Sequence, residues 1–273
     1  MAIRSILLHL DATPASIGRL TFTHALADRL DARVTALFGV RPHTSRAAYA
    51  YSAGAALRAA EEDGVPHEYE RSRLRDLLAG REPECTWCEV AGDSVRHAFF
   101  AEAIYSDLLV LGPPAPLDQE GAAPHGFVES VILESGTPAI VVPYPDRQET
   151  VGEHVVVAWN GSVPAARAVK AALPLMRAAT SVHVATWGSQ PAVAPFSRLD
   201  IVGWLRRHDI DAELHAGASV ANVASDLAAL ARNVRADLLV MGCYGHSRFR
   251  EQVFGGVTRA LLAAPPTPML MTH

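Results

Sequence analysis

The chain has 273 residues, room for two domains of common size, and its 49% hydrophobic, 19% charged and 7% aromatic residues exclude disordered and fibrous classes. Its 24 basic and 29 acidic residues leave a net charge of −5 with no block of Lys or Arg, so neither nucleic acid nor an anionic membrane is expected as a partner. Three cysteines cannot build a disulfide framework, and no run of 18 apolar residues occurs, which points to a cytoplasmic protein without a spanning helix or secretory signal.

Short apolar runs alternate with longer helical stretches along the chain. Strands are predicted near Ser5 to Leu10, Val34 to Val40, Thr86 to Val90, Leu108 to Leu111 and Ala139 to Val142, with helices near Pro14 to Leu30, Arg46 to Leu78 and Val95 to Tyr105. A polar, proline-bearing linker, Pro143 to Glu153, follows. Strands then recur near Val155 to Trp159, Val182 to Trp187, Asp211 to His215, Leu238 to Met241 and Met269 to Met271, with a late helix over Arg259 to Ala264. Fully apolar runs such as Leu108 to Leu111 fit strands covered on both faces, so the pattern predicts βαβ units around a parallel sheet.

The second set of elements repeats the first. SILLHLD at Ser5 matches HVVVAWN at His154, 149 positions on, while DLLVLG at Asp107 matches DLLVMG at Asp237 and TPAIVV at Thr137 matches TPMLMT at Thr267, both at an offset of 130. This spacing divides the chain into residues 1–146 and 151–273. The expected architecture is α/β, with two tandem doubly wound five-stranded parallel-sheet domains of Rossmann-like type related by pseudo-twofold symmetry.

Ligands of open α/β sheets sit beyond the carboxyl ends of the strands where strand order reverses. In the second copy, Gly242-Cys-Tyr-Gly245 follows strand four, then nine residues, then Gly255-Gly256-Val257-Thr258 at the start of a helix. Glycines permit close backbone approach there, and amides at a helix start attract phosphate oxygens, so the loop reads as a phosphate cradle without a lysine. These residues resemble the universal stress protein family in spacing and setting, and the resemblance covers essentially the whole chain as two family domains. It implies a cytoplasmic stress-response protein that binds ATP or another adenine nucleotide, with Mg, in the C-terminal domain without evident catalysis. It further implies that Trp159, Asn160 and Thr186 border adenine and ribose, and that Gly242, Gly245, Gly255, Gly256 and Val257 border the phosphates. In single-domain relatives two chains pair, commonly through the last strand, so the resemblance also implies a pseudo-dimer within one chain, with Ala139 to Val142 packing near Met269 to Met271. An unknown protein partner and a further homodimer complete the expected associations.

Two positions depart from the family pattern. Gly256 stands where nucleotide-binding members carry Ser or Thr, and losing one hydrogen bond to a charged group, worth about 1.5–3 kcal/mol, weakens phosphate binding roughly ten- to a hundredfold. Asn160 replaces the usual Asp and keeps an acceptor. In the first copy, Gly112 is followed by Pro113, Pro114 and Pro116, which offer no N–H groups, so that half is expected to have no nucleotide site. The alternative function is a nucleotide-independent scaffold in which both sites are vestigial. Cys85-Thr-Trp-Cys88 has the gap of redox and zinc motifs but lies at a predicted strand, and the twelve histidines show no metal-site spacing, so no metal is expected. Asp11 with His9 and Ser16 lacks a GxSxG elbow, Asp107 and Asp237 fit entry turns, and Arg248 and Arg250 fit a solvated face.

Overall fold

The computed structural model describes residues 2–40, 68–79, 85–91, 95–116, 119, 121–144, 150–187, 200–217, 222–243 and 256–273. Tyr49, Tyr51, Arg248, Arg250, Gly245 and Gly255 lie outside them, as does the portion of the predicted Arg46 to Leu78 helix before residue 68. In chain order the first half contains β1 (Ser5–Leu10), α1 (Ala15–Leu30), β2 (Arg33–Val40), α2 (residues 68–78), β3 (Cys85–Ala91), α3 (Val95–Ala103), β4 (Leu108–Leu111), α4 (Phe127–Glu134) and β5 (Ala139–Val141). The second contains β6 (His154–Ala158), α5 (Val163–Met176), β7 (Ser181–Trp187), α6 (Ile201–Arg206), β8 (Glu213–Gly217), α7 (Val223–Asn233), β9 (Leu238–Gly242), α8 (Val257–Ala263) and β10 (Met269–Thr272).

The strands form one ten-stranded sheet in the order β3-β2-β1-β4-β5-β10-β9-β6-β7-β8. Each half reads 3-2-1-4-5, and neighbours within a half are parallel. The halves meet through β5 and β10, antiparallel, with Met269 opposite Val141, Leu270 opposite Ile140 and Met271 opposite Ala139. The expected meeting of these two strands is therefore found as direct pairing, which merges two five-stranded halves into a continuous sheet. All the central positions of β4 and β10 are buried, as interior strands covered on both faces require.

Two apolar layers cover the sheet. One holds Leu20 and Leu26 of α1, Leu74 of α2, Val169 and Leu175 of α5 and Ile201 and Leu205 of α6. The other holds Phe99 of α3, Phe127 and Val131 of α4, Leu227 of α7 and Leu261 of α8. Side chains alternate along each strand, so Ile6, Leu8 and Leu10 enter the first layer while Leu7 enters the second. Among the described residues no helix is long and apolar enough to cross a membrane.

Asp107 and Asp237 hold equivalent places and do equivalent work. Asp107 Oδ2 accepts from the Arg4 and Ser5 amides at 2.8 and 3.0 Å, and the two Asp237 oxygens accept from the Glu153 and His154 amides, each at 2.9 Å. Each carboxylate thus pins the start of its half's first strand. One strand departs from expectation: β8 begins at Glu213 rather than Asp211. Asp209 takes a positive φ of 62° and Ile210 turns inward to 3% exposure, so the chain is still completing its turn where the strand was predicted to start.

Candidate functional site

Strand order reverses at β6, which lies between β9 and β7, and the candidate residues of the C-terminal half gather at that point. Ala158 at the end of β6 pairs with Ala185 on β7 and with Met241 on β9. One step beyond, Trp159 donates its backbone N–H to the Ala185 carbonyl at 2.9 Å, which places it beside Thr186 and Gly242. Gly256 and Val257 open α8. Six of the eight candidates, Trp159, Asn160, Thr186, Gly242, Gly256 and Val257, are thus described at the carboxyl edge of the sheet; Gly245 and Gly255 lie outside the described residues.

The loop after β6 is built by short-range hydrogen bonds. Asn160 Oδ1 accepts the Ser162 amide at 3.1 Å, Gly161 takes a φ of +71°, and Ser162 caps α5 by accepting the Ala165 amide on Oγ at 3.3 Å. Gly242 has a packing duty as well, because a Cβ there would run into the backbone of Pro164 and Ala165. Thr272 fastens the same turn by donating its hydroxyl to the Pro164 carbonyl at 2.8 Å. The first turn of α5 therefore lies directly on the ends of β9 and β10.

Between α5 and α6 a cavity of about 280 Å³ opens beside Trp159, bounded by Ala166, Val169 and Lys170 of α5 and by Asp200, Ile201 and Trp204. Its walls are mostly apolar, with the chain's single lysine at the margin. Ligand pockets commonly occupy about 300–1,000 Å³, so this one suits a group of roughly nucleobase size. Thr186 shares the strand face of Val182 and Val184, which pack into the layer that also contains Trp159. The sequence reading did not identify the cavity, since Val169, Ile201 and Trp204 carry an ordinary core pattern and α6 brings them together only in the fold.

At the switch point of the N-terminal half a buried arginine packs into the turn after β1. Arg19 of α1 lies 3.1 Å from Asp11 Oδ1, with side-chain exposures of 3% and 7%. It donates from Nε to the His9 carbonyl at 2.8 Å and from Nη2 to Ser16 Oγ at 2.8 Å. Asp11 Oδ1 also accepts from the hydroxyls of Thr13 and Ser16 at 2.6 and 2.8 Å. Burial would raise the Asp11 pKa, but the Arg19 guanidinium, with neighbouring hydrogen bonds, holds it below the usual value. His9 is pushed down to about 4, chiefly by burial.

Gly112 accommodates this arrangement, because a Cβ there would strike Arg19 Nη1. Asp11 and Ser16 do come together, while the His9 ring faces the Gly39 carbonyl and Phe127 and only its backbone carbonyl joins them; the organiser is Arg19, whose role the sequence reading missed. Its counterpart at the 149-residue offset is Ala168, fully buried in α5. At this position the halves differ by a buried guanidinium against a methyl group. The sequence offered only a faint signal, because the buried face of α1 mixes Arg19 with Ser16, Thr23 and His24 among its apolar residues.

The Cys85 and Cys88 pair behaves as strand geometry dictates. Three positions apart on β3, the two side chains project to opposite faces, so they do not converge on one ion. Burial pushes the Cys85 thiol up to about 11, away from the reactive thiolate.

Residues 152–273 match the family model described as the universal stress protein family. Among curated proteins none matches the chain. A universal stress protein from Archaeoglobus fulgidus has a similar structure, with a TM-score of 0.72 at 14% identity over 98% of this chain and 95% of that one. A functionally unknown protein from Pseudomonas aeruginosa PAO1 superimposes with a TM-score of 0.60 at 14% identity, over 99% of this chain and 92% of that one. At such identities the likeness shows a shared fold along the full length.

Proposed function

Residues 152–273 belong to the universal stress protein family, and from that premise we propose that this chain is a cytoplasmic stress-response protein binding one adenine nucleotide, ATP or AMP, in its C-terminal half. The observation that carries this reading is the difference between the two switch points. At one, the buried Arg19–Asp11 pair occupies the turn after β1; at the other, Ala168 and Asn160 hold the matching positions and a cavity lies beside Trp159. The division into units 1–146 and 151–273 is part of the same proposal, with the first unit serving as a structural partner of the second.

The donor set suits such a ligand. Trp159 supplies an aromatic wall, Val169, Ile201 and Trp204 supply apolar contact for a base, and Asn160 and Thr186 supply polar groups for ribose. Backbone amides around Gly242, Gly245, Gly255, Gly256 and Val257 would take the phosphates, with Mg neutralising their charge when ATP is bound. No nucleophile and general base are paired among these residues, so the reading is binding and regulation without turnover.

The duties of Gly242 and Asn160 favour a second reading. Gly242 makes room for α5 and Asn160 closes a local turn, so both have structural reasons to be present without a ligand. On that reading the chain is a nucleotide-independent scaffold. Tryptophan fluorescence during titration with ATP and with AMP separates the two, using Ala166→Phe to fill the cavity. Nucleotide binding predicts a saturable change in the natural chain and its loss in a folded Ala166→Phe variant; a flat response in both leaves the scaffold.

A further inference from the structure

Away from the switch point, on the strand face covered by α7 and α8, two histidines and a glutamate meet at the sheet edge. His183 lies on β7, and Glu213 and His215 lie on β8, the last strand of the sheet. Parallel pairing sets His183 opposite Glu213 and Ala185 opposite His215, so all three side chains share one face. His183 Nδ1 is 3.0 Å from His215 Nε2, and the glutamate oxygens lie 3.4 Å from His183 Nδ1 and 3.7 Å from His215 Nε2.

We propose that His183 Nδ1, His215 Nε2 and one carboxylate oxygen of Glu213 bind a divalent zinc-class cation. A tetrahedral zinc with ligands at about 2.0–2.1 Å has neighbouring ligand atoms about 3.3 Å apart, close to the 3.0 Å between the two imidazole nitrogens and to the 3.4 and 3.7 Å from those nitrogens to the two Glu213 oxygens. Two imidazole nitrogens and one carboxylate suit zinc and its late first-row neighbours, whereas magnesium and calcium call for oxygen donors. The ligands sit on paired strands, which fixes their spacing. Exposure rises from 13% at His183 to 30% at His215 and 67% at Glu213, so the cluster opens outward and leaves the fourth position to water.

Such an ion would staple β8 to β7, and it would do so independently of nucleotide binding. Linear spacing hides the cluster: His183 and His215 are 32 positions apart, and only strand pairing brings their rings together. The alternation His183-x-Ala185 beside Glu213-x-His215 is the trace it leaves in the sequence.

The test is calorimetric titration of zinc into the untagged full chain after chelator treatment, with cobalt as a spectroscopic stand-in whose visible absorption reports tetrahedral coordination. The expected result is one zinc per chain. His183→Gln and His215→Gln, each checked for folding by circular dichroism, should weaken binding at least about tenfold, since even groups that merely orient a ligand cost 10–100-fold. A Cys85→Ser/Cys88→Ser variant should bind as the natural chain does. No binding at millimolar zinc, binding that survives both histidine substitutions, or binding lost with the cysteines would overturn the proposal.

Discussion

At Arg19 a guanidinium buried to 3% exposure faces the Asp11 carboxylate, and removing it leaves that carboxylate in the core without its counter-charge. Breaking a buried pair in this way costs about 3–5 kcal/mol. Arg19→Ala should therefore lower stability in urea unfolding by roughly that amount, and a loss under about 1 kcal/mol would contradict the assigned role. His9, packed against Phe99 and Phe127 with ring centroids at 5.9 and 4.7 Å, is tied to pH. Its folded value of about 4 lies below the 6.5 of the free side chain, so the unfolded chain takes up the proton first as pH falls. The His9 contribution is full above pH 6.5 and is lost toward pH 4, by up to about 3 kcal/mol. Asp11 contributes in the same direction, but its window lies lower, since its depressed pKa keeps it ionised through the His9 range. His9→Gln should reduce the stability loss between pH 7 and pH 5, and an unchanged slope would contradict this account.

Among the elements, β5 and β10 carry the largest structural consequence, because each is the edge of its own half and the two close against each other. Both are wholly buried, and apolar but for Thr272 at the end of β10. An edge strand of that kind left uncovered presents a ladder of unpaired backbone groups and invites pairing. Residues 150–273 expressed alone should therefore dimerise through β10 in light scattering, and Leu270→Lys should return them to monomers. A monomeric fragment would show that β10 does not depend on its partner. Nine of the ten strands begin and end within one residue of their sequence expectation because apolar runs such as Leu108–Leu111 carry the signal directly. The start of β8 was not legible, since the turn at Asp209 depends on the inward packing of Ile210. Pairing of β5 with β10 was foreseen as proximity, whereas its antiparallel register emerges only from the assembled sheet.

At the scale of the whole molecule, the two halves share one strand order and differ in the side chains at their switch points. The repeat offsets and glycine spacing were visible in sequence, and they located the carboxyl edge where Trp159, Asn160, Thr186 and Gly242 gather. Tertiary facts were not: Gly242 yields to the backbone of α5, Arg19 reaches Asp11 across a turn, and the cavity needs α6 beside α5. The central claim is a single adenine-nucleotide site per chain, in the C-terminal half. Its most direct test is calorimetric titration of ATP with magnesium into the full chain freed of endogenous ligand. The account predicts saturation at one site per chain, weakened in Asn160→Leu by about three- to tenfold, as expected for loss of one neutral hydrogen bond. No heat at millimolar ATP, or saturation at two sites per chain, would contradict it.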